Sequence, residues 1–190
     1  MPIVPQPFLI SEDGNESSRY NQVMISKRNL VIPLLFSALG FAQWKNAPLQ
    51  PPAQPNMKLY PANANARAEI REATSAARKQ KKRILLVFGG NWCSDCHILD
   101  NAFHQPRVAP LLNNNFIVVH VDVGRYTKNL DLAKQYHIDL EKGVPSVAVL
   151  NSDGSFLNST SEFEKASLLT EDDVVQFLDK WKPEPVKAGS

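Results

Sequence analysis

Apolar residues in this chain fall into short continuous runs and helical stripes, and their order along residues 65–182 outlines a fold. Ala66, Ile70, Ala73 and Ala77 recur at helical spacing in an alanine-rich stretch, which predicts an amphipathic helix over 65–81. The run ILLVF at 84–88, bounded by Gly89 and Gly90, predicts a strand buried on both faces. Cys96, Leu99 and Phe103 mark a second helix, which Pro106 interrupts or ends. FIVVHVDV at 116–123 predicts a second buried strand, and Leu130, Ala133 and Ile138 a helix after it. SVAVL at 146–150 and SFLNS at 155–159 flank a turn over 151–154, where Asp153-Gly154 signals a hairpin. Val174, Phe177, Leu178 and Trp181 then lie at i, i+3, i+4 and i+7, with Thr170 and Asp173 placed as a capping pair and Pro183 as the stop.

This order of helix, strand, helix, strand, helix, strand, strand, helix implies an α/β fold: a central mixed sheet with helices on both faces. Upstream the pattern changes twice. Lys27 and Arg28 precede a mostly apolar run over 30–41, followed by small residues at Gly40 and Ala42, which are the three parts of a secretory signal cleaved after Ala42. The run is shorter than the roughly 20 apolar residues a membrane-spanning helix needs. Residues 1–23 do not fit a signal, which makes Met24 the expected true start. Pro48, Pro51, Pro52, Pro55 and Pro61 then disfavour helix and strand alike and predict an extended spacer. The expected organisation is an N-terminal extension and signal over 1–42, a Pro-rich linker over 43–63, a folded domain over 64–183 and a tail over 184–190.

Composition narrows the function. The 190 residues are 43% apolar, enough for one core, and the net charge of +2 from 21 basic and 19 acidic residues gives no reason to expect nucleic acid. The basic cluster over 78–83 falls where the first helix ends, and cations are favourable at a helix C-terminus. The chain has two cysteines, Cys93 and Cys96. A pair three residues apart closes too small a loop to restrain the unfolded chain, so its use is chemical rather than structural.

Two chemistries compete for NWCSDCH at 91–97. In the first, Cys93 follows a buried strand at the first turn of a helix, where free N–H groups and the helix dipole favour its thiolate. Cys96, one turn on and more protected, can attack a mixed disulfide formed by Cys93, which releases the client and closes the ring. In the second, Cys-x-x-Cys-His tethers a c-type haem with His97 as the iron ligand. No methionine follows the motif, so the distal ligand of a haem would have to be His104, His120, His137 or something non-standard. A zinc site from the cysteines and two histidines is weaker, because His97 and His104 lack a finger spacing.

ILLVFGGNWCSDC at 84–96, together with GVPS at 143–146 just before a predicted strand, resembles the thioredoxin superfamily over roughly residues 65–182. The resemblance implies a thioredoxin-like three-layer sandwich and a thiol-disulfide oxidoreductase with Cys93 as nucleophile and Cys96 as resolving thiol. It implies no cofactor beyond that redox-active pair and no metal. It also implies that Pro145 is cis and faces the dithiol, that Val144 offers backbone groups to an extended substrate, and that Trp92 flanks the binding site. GVPS has no explanation in a cytochrome, which favours the dithiol. The expected partners are disulfide-containing or oxidised protein clients and a redox protein that recycles the dithiol, in the bacterial periplasm. The alternative from another class is a thioredoxin-fold binding module with little turnover.

The departures from the family pattern are also informative. Thioredoxin itself carries a buried aspartate in the strand before the motif, where this chain has Val87, and Gly-Pro between the cysteines, where this chain has Ser94-Asp95. Ser94, Asp95 and His97 are therefore the expected tuning residues. A carboxylate at Asp95 near Cys93 disfavours its thiolate, which favours a reductase or isomerase over a strong oxidase, and a cationic His97 would act the other way or pair with Asp95 or Asp100 on the helix surface. His120 and Asp122 share a strand face that could approach the dithiol from below, and His120 could there act as a proton relay in place of the missing aspartate. The commoner use of such a histidine is a hydrogen bond within the sheet.

Overall fold

The computed structural model describes residues 47–184. The signal, the start at Met24, the first residues of the linker and nearly all of the tail lie outside the described residues.

Helix α1 runs Ala66–Gln80, with the Asn65 side chain accepting from the Ala68 N–H and Lys81 closing the end in the left-handed region. The cations that follow serve backbone carbonyls: Arg78 donates to Asp153, Lys82 to Asn113 and Arg83 to Trp181. Strand β1 is Arg83–Gly89, and all its residues after Arg83 are buried. Helix α2, Ser94–Phe103, follows the Asn91-Trp92 turn. Helix α3, Ala109–Asn115, was not expected from the pattern. It has only two turns, opens on Pro110, ends in three asparagines and buries little beyond Leu112, so its stripe is too short to register. Strand β2 is Phe116–Asp122 and helix α4 is Leu130–Gln135. Ile138, expected on α4, lies past a left-handed turn at His137, where its N–H returns to the Ala133 carbonyl at 2.8 Å. Strands β3, Ser146–Leu150, and β4, Phe156–Thr160, form the hairpin, and helix α5 spans Glu171–Trp181. Its capping box joins Thr170 and Asp173 as the sequence predicts.

The sheet order is β2-β1-β3-β4, with β1 parallel to β2 and antiparallel to β3, and β4 antiparallel to β3. Alternation along β1 divides the core. Ile84, Leu86 and Phe88 face α1 and α4 with Ala73, Ala77, Leu132 and Ala133. Leu85 and Val87 face the opposite layer with Leu99, Phe103, Val174 and Leu178. The result is the expected three-layer sandwich around a mixed sheet.

Residues 47–63 carry a correction. They form no helix or ladder, as their prolines require, yet Leu49, Leu59 and Tyr60 are buried in the core. Leu49 donates its N–H to the Leu169 carbonyl at 2.7 Å, and Tyr60 is 1% exposed. The folded unit therefore begins before residue 64. Proline blocks regular hydrogen bonding but not the burial of a neighbouring leucine or tyrosine, and burial without period leaves no pattern to read.

Candidate active site

Gly89 and Gly90 end β1 and are there because backbone and side chains approach closely. A β-carbon at Gly90 would lie 2.6 Å from the Trp92 indole nitrogen, and one at Gly89 would collide with the Tyr60 hydroxyl and the Cys96 sulfur. The turn that follows is held by Asn91. Its side-chain oxygen accepts from the Tyr60 N–H at 3.0 Å, and its side-chain nitrogen donates to the Tyr60 carbonyl at 2.8 Å. Asn91 thus clamps the upstream segment against the motif.

Cys93 is the N-cap of α2, and its sulfur accepts from the Cys96 N–H at 3.1 Å. A sulfur in that position receives one of the helix's free N–H groups and the positive end of its dipole, which is the arrangement that stabilises a thiolate when the pair is reduced. Cys93 and Cys96 are joined as a disulfide with Cα atoms 5.3 Å apart. Cys93 is 5% exposed and Cys96 1%, so Cys96 is the more protected of the two.

Across from α2, the Val144–Pro145 peptide bond is cis, and the Val144 carbonyl oxygen lies 3.4 Å from the Cys93 sulfur. Ser146, fully buried, donates from its hydroxyl to the Gly143 carbonyl at 2.8 Å and fixes the start of β3. Trp92 stands at the rim, 39% exposed, its indole N–H donating to the Gly124 carbonyl. Tyr126 packs against it with ring centres 5.6 Å apart, and the Arg125 guanidinium lies 5.5 Å from its ring centre. The structure therefore brings Trp92, Cys93, Cys96, Val144 and Pro145 together.

The expected tuning residues lie in three different settings. Ser94 is exposed. Asp95 directs a carboxylate oxygen to the Ser167 N–H at 2.8 Å, in the short turn Ala166–Leu168 that α2 packs against. Its charge is thus partly spent on that donor rather than on Cys93 alone. His97 is 6% exposed rather than on the helix surface, and pairs with neither Asp95 nor Asp100. Its Nε2 lies 3.0 Å from the Asn91 carbonyl oxygen, and its Nδ1 is buried without a partner. A ring tucked under the turn, with Nε2 against the Asn91 carbonyl, is not presented to an iron. Among the described residues no group of three or more His, Cys, Asp or Glu side chains converges as a metal site.

His120 is the parallel-sheet partner of Val87. Its Nε2 is buried without a hydrogen bond, 3.8 Å from an Asp100 carboxylate oxygen, and burial holds the imidazole below its ordinary pKa while Asp100 opposes that shift. Asp122 is occupied elsewhere, accepting from the Gly124 N–H at 2.8 Å and from Lys128 at 3.0 Å. Tyr60 escaped the sequence reading, and Asp100 entered it only as a possible partner of His97. For Asp100 a signal existed, since Cys96, Asp100 and His104 are spaced at i, i+4 and i+8 on α2.

The chain's fold and its cysteine pair on the first turn of α2 are those of a thioredoxin-like disulfide oxidoreductase, and the chain belongs to that family. The thioredoxin-like family profile matches residues 65–152. A solved structure described as the disulphide isomerase of Xylella fastidiosa Temecula1 is 34% identical, with a TM-score of 0.62 over 66% of this chain and 96% of that one. The C-terminal domain of DsbD from Neisseria meningitidis in its oxidised form is also similar, at 23% identity and a TM-score of 0.49 over 63% of this chain and 97% of the domain. No curated protein matches the chain at a significant level.

Proposed function

We propose that the protein exchanges disulfides with protein clients, as a reductase or isomerase rather than a strong oxidase. Cys93 is the sulfur a client meets and Cys96 the one that resolves the mixed disulfide. The observation that carries this reading is the arrangement around Cys93: capped by the helix N-terminus, facing the Val144 carbonyl, with Cys96 buried behind it. An extended client strand can lie along the Val144–Pro145 backbone, with Trp92 bordering its path. The name of the 34% identical Xylella protein, a disulphide isomerase, supports the isomerase side. Asp95 supports the same direction more weakly than its sequence position suggests, because Ser167 takes part of its charge.

The dithiol is recycled by a separate redox protein, with no further cofactor. The signal-like run before residue 43 supports export to the bacterial periplasm, and among the described residues no helix is long and apolar enough to cross a membrane.

Insulin-disulfide reduction tests exchange against mere binding. The wild type accelerates it in the presence of a small-thiol reductant and Cys93→Ser does not, whereas a binding module would show no cysteine-dependent rate. Equilibration with glutathione tests the direction. A potential near that of the strongest periplasmic oxidants, about −120 mV, would contradict a reductase or isomerase.

A further inference from the structure

One buried side chain, Tyr60, and two partly buried ones, Asp100 and His120, meet behind Cys96, and none is used by the exchange chemistry derived so far. The Tyr60 hydroxyl and the Cys96 sulfur share the space against Gly89 that a β-carbon would fill. The Tyr60 ring meets His120 edge-on at 5.3 Å between centres, so the tyrosine spans from the sulfur to the imidazole. Neither the Tyr60 hydroxyl nor His120 Nε2 has a hydrogen-bond partner, although both atoms are buried. Asp100, one turn beyond Cys96 on α2, lies 3.8 Å from His120 Nε2. Buried polar atoms are nearly always paired; of these two orphans the Tyr60 hydroxyl lies beside the Cys96 sulfur and His120 lies against the Tyr60 ring, which points to partners that exist only during reaction.

We propose that Tyr60, His120 and Asp100 form the proton-handling site of Cys96: His120 accepts the thiol proton, Asp100 holds the resulting imidazolium, and the Tyr60 hydroxyl donates a hydrogen bond to the Cys96 thiolate. The proposal rests on the oxidoreductase reading and deepens it. The location fits, because His120 is the β2 partner of Val87 on the strand that leads into the Cys93 turn. In the reduced protein bound to a client through Cys93, the Cys96 thiol gives its proton to His120 Nε2. The thiolate attacks the Cys93 sulfur, the Cys93–Cys96 bond forms and the Cys93–client bond breaks. The client sulfur leaves with the electron pair as a thiolate, so the client is reduced and the pair oxidised. The imidazolium then returns its proton to solvent or to the leaving thiolate.

The charges facing this site are consistent with these roles. His120 is held below its ordinary pKa chiefly by burial, so it is a neutral base near pH 7, with Asp100 opposing that shift and His104 adding to it. Burial, Asp100 and Asp122 push the Tyr60 phenol far up, so it stays a donor. Asp122 pairs with Lys128 at 3.0 Å rather than with the imidazole.

The test is stopped-flow oxidation of the reduced full-length protein by an aromatic disulfide whose released thiol is coloured. The first thiol released reports attack by Cys93, and the second reports attack by Cys96 on the mixed disulfide. His120→Gln should leave the first phase unchanged and slow the second by about tenfold or more near neutral pH, with the base's inflection lost from its pH profile. Tyr60→Phe should raise the pKa of Cys96, read by thiolate ultraviolet absorbance in a Cys93→Ser background. It keeps the ring that fills the core and so separates chemistry from packing. A second phase in His120→Gln with wild-type rate and pH profile, beside an unchanged Cys96 titration in Tyr60→Phe, would overturn the proposal. Absence of the first phase in the wild type would instead overturn the oxidoreductase reading itself.

Discussion

The two sulfurs of this protein belong to one disulfide, yet the surroundings in front of Cys93 and behind Cys96 are built on different plans. The front is assembled from two short motifs and is edged by exposed groups: Trp92 and Tyr126 at the rim, and the Val144 carbonyl 3.4 Å from the sulfur. The rear is assembled from three distant stretches of chain that bring the buried Tyr60 together with the partly buried Asp100 and His120. In the proposed exchange a client has to reach the first, and the thiol at the second has to lose its proton.

Changes at the rear should therefore cost stability and changes at the front should not. Gly89→Ala places a β-carbon against the Tyr60 hydroxyl and the Cys96 sulfur, and we expect a loss of about 1–3 kcal/mol in urea unfolding of the oxidised protein. Asn91→Ala removes both bonds that clamp Tyr60. It should cost about 1–2 kcal/mol and speed proteolytic cleavage within residues 50–58, and unchanged cleavage would mean that the upstream segment is held by burial alone. A third expectation concerns pH. Because burial lowers the His120 pKa below 6.5 in the folded state, the unfolded chain takes up the proton first as the pH falls. Stability is then full above about pH 6.5 and declines below it, and His120→Gln should flatten that decline in thermal melts taken across the range. The smallest effect belongs to the front. Trp92→Phe loses the bond to Gly124 on a ring that is 39% exposed, so stability should change by less than about 1 kcal/mol while the KM for a protein client rises. A loss as large as that at Gly89 would erase the contrast between the two sides.

The same contrast explains what could be read from sequence. Trp92, Cys93, Cys96 and Pro145 lie in contiguous motifs whose spacing has a mechanism, and β1, β3 and the α5 capping box follow from burial runs and hydrogen-bonding residues a few positions apart. Tyr60 lies in a proline-rich stretch with no period, and its backbone is bonded to Asn91, 31 positions away. His97 and Asp95 were expected to act on the thiols because they are close in sequence. In the fold, His97 turns under the Asn91 carbonyl and Asp95 reaches Ser167, 72 positions on. Adjacency along the chain located the dithiol but could not show which neighbours face it.

The central claim is that Cys93 meets the client and Cys96 resolves the mixed disulfide. Its most direct measurement is the intact and peptide mass of Cys96→Ser after exposure to a disulfide-bonded client, with Cys93→Ser run in parallel. We predict a stable client adduct mapped to Cys93 in the first variant and none that persists at Cys96 in the second, since that sulfur is 1% exposed. Equal adducts at both positions, or none at Cys93, would contradict the account.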